Sequence, residues 1–305
     1  MQSENHPVST ITVNHNAGKL LLDCVRAALQ QAEQVIVVDN ASSDSSMQML
    51  ASQFMSEPRL VLHSTGKNLG FAAGCNIGIR LATRSQLLFL NLDCILESGS
   101  LHRMLKVLNS DPIVGMVSGL LTNPDGTEQA GGRRSIPTPW RSFVRAFGLS
   151  RLSHRWPKLF FDFNLHKQPL PTEPIDVEAI SGALMLVRRA AVDNVGLWDE
   201  AYFLHCEDLD WCMRFRQHGW KILFVPDARV LHHKGHCSRS RPFFVEWHKH
   251  KGMVRFYHKF FSHQYPSVLM WLVNVGVWLR FAMVSVNHSI KLVTKRFGDS
   301  GDKRG

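Results

Sequence analysis

The feature that most restricts the fold of this chain is an alternation, over residues 8–121, of short apolar runs with segments of helical period. Repeats of that kind read as βα units and require a parallel sheet covered by helices. Residues 8–13 are expected as a strand, and residues 20–32 as a helix with Leu21, Leu22, Val25, Ala28 and Leu29 on one face. Residues 35–38 form a short run apolar on both sides, the pattern of a buried strand. The polar turn Asp39-Asn40-Ala41-Ser42-Ser43-Asp44 follows, with Asp44 or a neighbouring serine able to cap the next helix. A strand at 60–63, a helix at 71–82 and a strand at 87–90 continue the series. Parallel strands with polar carboxyl ends create a binding site along one sheet edge.

With 305 residues, 45% of them hydrophobic and 20% charged, the chain can bury one large α/β core and carry an appendage, and it is not disordered by composition. Lys and Arg total 35 against 25 Asp and Glu, a net charge of +10 that calls for an anionic partner. Six cysteines lie scattered, with no C-x-x-C pair, which favours reduced thiols over a disulfide framework or a zinc knuckle. The first ten residues hold an acid and no apolar core, so no secretory signal is expected there and the active part is expected on the cytoplasmic side.

Between residues 123 and 176 prolines and glycines destroy the periodicity while Trp140, Phe143, Trp156 and other aromatics add apolar bulk, which reads as a mobile insertion over the sheet. A strand at 178–187 around Gly182, an ordered segment at 202–217 and a strand at 222–225 come next. From Lys249 onward ten Lys or Arg face only Asp299 and Asp302, and residues 268–286 are apolar except Asn274, Gly276, Arg280 and Ser285. A spanning helix needs about 20 such residues, and a central Arg costs about 2.5 to 3.5 kcal/mol. The balance favours a helix lying at an anionic headgroup surface over one that spans, with a core or dimer helix as the plainer reading.

Several residue types in this order suit a nucleotide and a divalent cation. Asn14 and Asp39 follow the first two strands, where Asp39 could accept hydrogen bonds from a base or ribose; turn capping is the alternative. Asn68-Leu69-Gly70-Phe71 opens a helix whose free N–H groups admit an anion. Asn91-Leu92-Asp93 ends the strand at 87–90, and one carboxylate together with substrate phosphates commonly holds Mg²⁺. In Phe203-Leu204-His205-Cys206-Glu207-Asp208-Leu209-Asp210 three acids occupy four positions, more than one helix cap requires. Asp210 and Arg214 stand four apart and serve the helix, which leaves Glu207 and Asp208 for general-base work. His232, His233 and His236 crowd the end of a later strand, where a histidine can ligate a metal or bind phosphate.

Taken in order, these stretches, with Ile11-Thr12-Val13-Asn14, Leu69-Gly70-Phe71-Ala72-Ala73-Gly74-Cys75-Asn76, Ser181-Gly182-Ala183 and residues 232–238, resemble family-two glycosyltransferases, and most closely the rhamnosyltransferase-like enzymes of bacterial surface-polysaccharide assembly. The resemblance covers residues 8–238 and implies an α/β GT-A fold, a Rossmann-like mixed central sheet flanked by helices, in residues 1–240, with a helical, membrane-associating extension at 241–305. It implies that Asn14, Asp39, Asn68, Gly70, Phe71, Asn76, Asn91 and Leu92 line the nucleotide-sugar pocket, that Asp93 and His232 hold Mg²⁺ or Mn²⁺, and that Asp208 is the base beside Glu207. Where such enzymes often carry D-x-D, this chain has Asn91 in the first position. The implied reaction is inverting transfer of a sugar, dTDP-rhamnose being the favoured donor, to a polyprenyl-diphosphate-linked or other saccharide at the cytoplasmic face of the bacterial inner membrane, with residues 266–290 as the anchor. Arg133, Arg134 and Trp140 in the insertion are the candidates for acceptor recognition, since arginines pair with phosphates and aromatic planes stack on sugars. A sugar-nucleotide pyrophosphorylase would need a glycine-rich activating loop, of which residues 13–19 offer only Gly18 and Lys19. Nucleic acid is not expected as a partner, because no recognition motif accompanies the basic charge.

Overall fold

The computed structural model describes residues 5–146, 148–156, 160, 165–233 and 241–301. In chain order the strands are β1 (His6–Asn14), β2 (Ala32–Asp39), β3 (Leu60–Ser64), β4 (Gln86–Leu90), β5 (Cys94–Leu96), β6 (Val114–Thr122), β7 (Arg133–Arg134), β8 (Ile175–Asp176), β9 (Ala179–Ile180), β10 (Leu184–Arg188) and β11 (Lys221–His232). The helices are α1 (Leu20–Leu29), α2 (Ser46–Gln53), α3 (Phe71–Leu81), α4 (Ser100–Leu108), α5 (Pro139–Ala146), α6 (Arg189–Val195), α7 (Glu207–Gln217), α8 (Pro242–Phe261) and α9 (Ser267–Gly301). By contacts the chain divides into two compact units, one of residues 1–203 with 207–237, the other of residues 204–206 with 238–305.

The first unit is built on a mixed sheet in the order β3-β2-β1-β4-β10-β6-β11-β5, with β8 beside β11. The first four strands are parallel, β10 runs antiparallel to both its neighbours, and β6 and β11 are parallel again. Because β2 and β4 lie on opposite sides of β1, successive crossovers leave a crevice at the carboxyl ends of these strands. Asn14 there pairs with Asp39, and Asp39 with Ser64. Apolar side chains of β1, β2, β4, β6 and β10 interlock with Leu21, Val25 and Ala28 of α1 and Leu101, Met104 and Leu108 of α4, all buried. The apolar faces read from periodicity therefore do face the core.

Three expected elements differ in extent. Helix α1 stops at Leu29, because Ala32 is needed as the sheet partner of His6. The strand expected at 178–187 is split into β9 and β10: Gly182 N–H turns away from the sheet to a side chain, and the Ala183 carbonyl accepts from Asn91 N–H at 2.9 Å. The strand expected at 222–225 extends to His232, with a register shift between Val225 and Arg229. The insertion holds β7, α5, two short 3₁₀ turns and β8.

Among the described residues the second unit contains the helices α8 and α9. Trp247 of α8 packs on Trp278 and Phe281 of α9 at ring distances of 5.1 and 5.7 Å. Asn274, a polar residue in the apolar run, donates its Nδ2 to His258 Nε2 of α8 at 2.8 Å. Residues Ser267–Ile290 are long and apolar enough to cross a membrane, and Val268, Trp271, Leu272, Leu279, Met283 and Val286 are exposed along them.

Candidate active site

The turns at the carboxyl ends of β1 and β2 form a hydrogen-bonded lattice. Asn14 Nδ2 donates to Asp39 Oδ1 at 3.0 Å, Ser42 Oγ at 2.9 Å and Ser46 Oγ at 3.0 Å, and Asp39 Oδ2 accepts from Ser42 N–H at 3.2 Å. Asp44 accepts from Ser46 N–H and hydroxyl and from Gly18 N–H, bonds that hold its carboxyl below the usual range against the opposing effect of burial; it holds the first N–H of α2 from the residue before the N-cap Ser45. Asn40 Nδ2 donates to the Gly70 carbonyl at 2.8 Å, which ties the turn after β2 to the turn before α3. Within that second turn Asn68 Oδ1 accepts from Gly70 N–H. Gly70 has φ of +88°, and a side chain there would collide with Phe203, whose carbonyl lies 2.6 Å from where Cβ would stand. Asp39 and Asn68 are thus joined through two turns at the mouth of one crevice, with Asn14 behind them as their support.

The cation candidates meet on the other side. Antiparallel pairing of β5 with β11 sets His232 opposite Cys94, and His233 N–H donates to the Asp93 carbonyl at 2.9 Å. His232 Nε2 lies 3.2 Å from Asp93 Oδ1, with the Asp93 side chain 9% exposed. Gln129 orients the ring. Its Nε2 donates to Asn123 Oδ1 and to the His232 carbonyl, so its Oε1 faces His232 Nδ1 at 2.6 Å and accepts the proton there. In the neutral ring Nε2 then directs a lone pair at Asp93 Oδ1. Two acceptors face each other at a distance that a proton or a cation between them would relieve. A carboxylate oxygen, an imidazole nitrogen and an amide fixing the far ring nitrogen form a donor set that fits Mg²⁺ or Mn²⁺. Cys94 Sγ shares this cluster, but its S–H points to the Ala183 carbonyl and burial pushes its pKa far up, so it stays a thiol. The basic tract after His233 lies outside the described residues.

Helix α7 brings the acids. Trp211 on its buried face meets Phe89 of β4 at 5.3 Å and Trp198 at 4.2 Å, so the helix is held against the sheet by aromatic contact. Arg214 pairs with Asp210 at 2.7 Å and donates to the Leu197 carbonyl, the helix-serving role expected of that pair. Asp208 Oδ2 accepts from Gly182 N–H at 3.1 Å and from Arg134. Gly182 precedes Ala183, whose carbonyl takes Asn91 N–H. The short turn Ser181-Gly182-Ala183 therefore carries Asp208 on one residue and the Asn91-Leu92-Asp93 strand end on the next. Asp208 is thus linked through this turn to Asn91, two residues before Asp93, and the Asp208 and Asp93 side chains are 14% and 9% exposed.

Glu207 differs from its neighbour. It is 6% exposed, its Oε2 has no hydrogen-bond partner, and burial followed by the charge of Asp208 pushes its pKa up to about 8. The folded state therefore binds this proton more tightly than the unfolded chain does. Stability is greatest below the unfolded carboxyl pKa and is lost progressively as pH rises through the interval up to about 8. Glu207→Gln is expected to flatten that slope, so that urea midpoints of the two proteins diverge between pH 5 and pH 8 with the variant the more stable at pH 8. Parallel pH dependences would show that Glu207 is ionised when folded.

Three other candidates go elsewhere. Asn76 is buried and exchanges hydrogen bonds with Trp198 N–H and carbonyl while donating to Glu200 Oε1, which makes it a clasp between α3 and the segment before α7. Arg133 and Arg134 are adjacent on β7 and so point to opposite faces. Arg134 reaches Asp208, whereas Arg133, 2% exposed, is taken up by Glu128 and the carbonyls of Gln168 and Pro169 inside the insertion. Trp140 is 45% exposed on α5 and stacks on Phe143. Gln129 and the Gly182 N–H are site groups that residue type alone does not single out.

A mixed sheet with polar turns at the carboxyl ends of its parallel strands, an Asp–His pair and a helix-borne carboxylate is the arrangement of a glycosyltransferase of the GT-A fold. The sequence profile of glycosyl transferase family 2 matches residues 9–196, and that of glycosyl transferase family group 2 matches residues 129–294; the chain belongs to glycosyl transferase family 2. It is similar to the N-acetylglucosaminyl-diphospho-decaprenol L-rhamnosyltransferase of Mycobacterium tuberculosis, 27% identical over 88% of this chain and 90% of that protein. It is also similar to the rhamnosyltransferase WbbL of Escherichia coli K12, 26% identical over 70% of this chain and 78% of the other. Among solved structures the mannosyltransferase PcManGT of Pyrobaculum calidifontis, in complex with GDP-Man and Mn²⁺, shares the fold with a TM-score of 0.56 at 16% identity, over 98% of this chain and 81% of that one.

Proposed function

We propose that this glycosyltransferase moves a sugar, L-rhamnose above others, from a nucleoside-diphosphate carrier to a hydroxyl of a polyprenyl-diphosphate-linked saccharide, with inversion at the anomeric carbon and with a divalent cation. The observation that supports the reading is that the turn Ser181-Gly182-Ala183 bonds Asp208 on Gly182 and, on Ala183, the Asn91 end of the strand whose next residues lead to Asp93 and its partner His232. Asn14, Asp39 and the turn Asn68-Leu69-Gly70-Phe71 would receive the nucleoside, with Asn91 and Leu92 beside the sugar diphosphate. Asp93 and His232 would hold the cation, which when bound neutralises a diphosphate leaving group. Asp208 takes the proton of the acceptor hydroxyl as the oxygen attacks the anomeric carbon and the bond from that carbon to the diphosphate oxygen breaks. Glu207, buried and with its pKa at about 8, is the less suited of the two acids to accept that proton. One base and one electrophile suffice for a single displacement, and that count supports inversion.

The relatives named for L-rhamnosyl transfer to a diphospho-decaprenol saccharide support the acceptor class and the donor sugar. The exposed apolar length of α9 and the basic residues of α8 support attachment at the cytoplasmic membrane face. Arg134 and the exposed Trp140 remain the acceptor candidates. The test is a panel of nucleotide sugars supplied with a polyprenyl-diphosphate-linked N-acetylglucosamine. Turnover is expected with dTDP-rhamnose, is lost with chelator, returns with Mn²⁺ or Mg²⁺, and gives a product whose NMR couplings show the inverted anomer. Retention, or full turnover in chelator, would overturn the mechanism.

A further inference from the structure

Of the two consecutive arginines on β7, the buried one anchors the strand that presents the other. Arg133 is held by Glu128 at 2.8 Å, by the carbonyls of Gln168 and Pro169 and by the ring of Phe224 at 5.4 Å, while β7 pairs antiparallel with β9. Arg134 leaves the opposite face of this anchored strand. It donates to the Ile180 carbonyl at 3.2 Å and to Asp208 Oδ2. That carboxylate oxygen also accepts from Gly182 N–H at 3.1 Å, and Asp208 Oδ1 is turned to its own helix, where it accepts from Leu209 N–H at 2.8 Å. An ionised carboxylate oxygen has two lone-pair sites, so both on Oδ2 are engaged, and a hydroxyl docks there only when one donor leaves. Two of these three donors are backbone N–H groups built into a turn and a helix. Arg134 is the one on a side chain, and its guanidinium is a fork that fits phosphate oxygens two at a time. The pair is only partly buried, with side chains 18% and 14% exposed, so a ligand can reach it.

We propose that Arg134 is a positioning residue that latches the base: it occupies Asp208 until the diphosphate of the acceptor takes the guanidinium, and the oxygen so released accepts the proton of the acceptor hydroxyl. This rests on Asp208 being the base, and it gives the anionic part of the acceptor a role in kcat as well as in binding. A diphosphate on the anomeric carbon of a single acceptor sugar lies across one ring from the hydroxyls of that sugar, so both can meet the Arg134–Asp208 pair together. On release the guanidinium exchanges a carboxylate partner for a phosphate one, and the ion pair is replaced rather than lost. The hydroxyl proton passes to Asp208 Oδ2 as the hydroxyl oxygen bonds the anomeric carbon and the nucleoside diphosphate leaves with the electron pair of its bond. The donor also carries a diphosphate, but varying the acceptor against one donor separates the two sources.

The test uses the full chain with dTDP-rhamnose, saturating Mn²⁺ and two acceptors, a polyprenyl-diphosphate-linked N-acetylglucosamine and an uncharged alkyl glycoside of the same sugar. In the parent, kcat at saturating acceptor is expected to be lower with the alkyl glycoside by about 10-fold or more, because Arg134 stays on the base. Equal kcat with both acceptors overturns the proposal without any variant having to fold. Arg134→Gln is expected to raise kcat on the alkyl glycoside about 10-fold over the parent. The same variant is expected to lower kcat/KM for the diphosphate acceptor about 10- to 100-fold, the effect of losing a hydrogen bond between charged partners. Arg134→Lys keeps the cation and is expected to keep the preference for the diphosphate acceptor. A merely structural role would make Arg134→Gln slower on both acceptors by one factor, which overturns the latch. Asp208→Asn in the same assay separates the two ideas. Full transfer by that variant removes the base and the inference with it, whereas an inactive Asp208→Asn beside an Arg134→Gln that slows both acceptors alike overturns the role of Arg134 alone.

Discussion

Asp208→Asn is expected to reduce sugar transfer by about 10² to 10⁴-fold, the range a positioned general base supplies, while the KM for the nucleotide sugar stays near its parent value. The replacement is close to isosteric, and its amide oxygen can still accept from Gly182 N–H, so the turn that carries Asn91 on its other side keeps its shape. What is lost is the ability to take a proton and the charge that pairs with Arg134. Because Trp211, Phe89 and Trp198 hold α7 from its buried face, the helix does not depend on that ion pair for its place. The measurement is steady-state transfer beside a thermal melt. Unimpaired kcat in a folded variant would move the base elsewhere and leave Asp208 as an anchor for Arg134.

Asp93→Ala is expected to lower kcat/KM by about 10²-fold or more, the effect of withdrawing several kcal/mol of leaving-group stabilisation, and to abolish the response of the remaining turnover to added Mn²⁺. His232 would still be fixed by Gln129, so the ring stays in place but offers one donor where the parent offers two. Gln129→Leu separates orientation from ligation: His232 loses the acceptor that fixes its tautomer, and the apparent cation affinity is expected to fall about 10 to 100-fold with maximal rate at saturating Mn²⁺ largely restored. Titration of activity with Mn²⁺ in all three proteins checks this. Identical cation dependence in parent and Asp93→Ala would place the metal away from this pair.

Much of this was legible from the residues because the parallel half of the sheet is made of local units. Each βα repeat buries an apolar run beside a helix only a few residues away in sequence, so periodicity reports both the element and its buried face. Residues 35–38, buried on both faces, and the α1 face of Leu21, Val25 and Ala28 are of this kind. The antiparallel half was less legible. That β10 lies between β4 and β6, and that β11 runs on to His232 beside Cys94, depends on pairings between residues 69 to 138 positions apart, and the split of the strand at Ser181-Gly182-Ala183 depends on partners contributed by Asp208 and Asn91. Gln129 illustrates the limit: its value to the site is an amide 103 positions from His232, and nothing in its own neighbourhood marks it. Arg133 and Arg134 look alike in sequence, and only the alternation of a two-residue strand sends one into the insertion and the other to Asp208. The assignment of residues 204–206 to the C-terminal unit was equally invisible, since the change in composition begins only at α8.

Diffraction at the manganese edge from crystals of the full chain grown with Mn²⁺ and a nucleoside diphosphate addresses the shared cleft without relying on turnover. The expected anomalous peak lies between Asp93 and His232 and touches the diphosphate, with the Asp208 carboxylate facing the space where the sugar would extend from it. A peak bound by other side chains, or a diphosphate whose free end points away from Asp208, would contradict the convergence of these two carboxylates on one reaction.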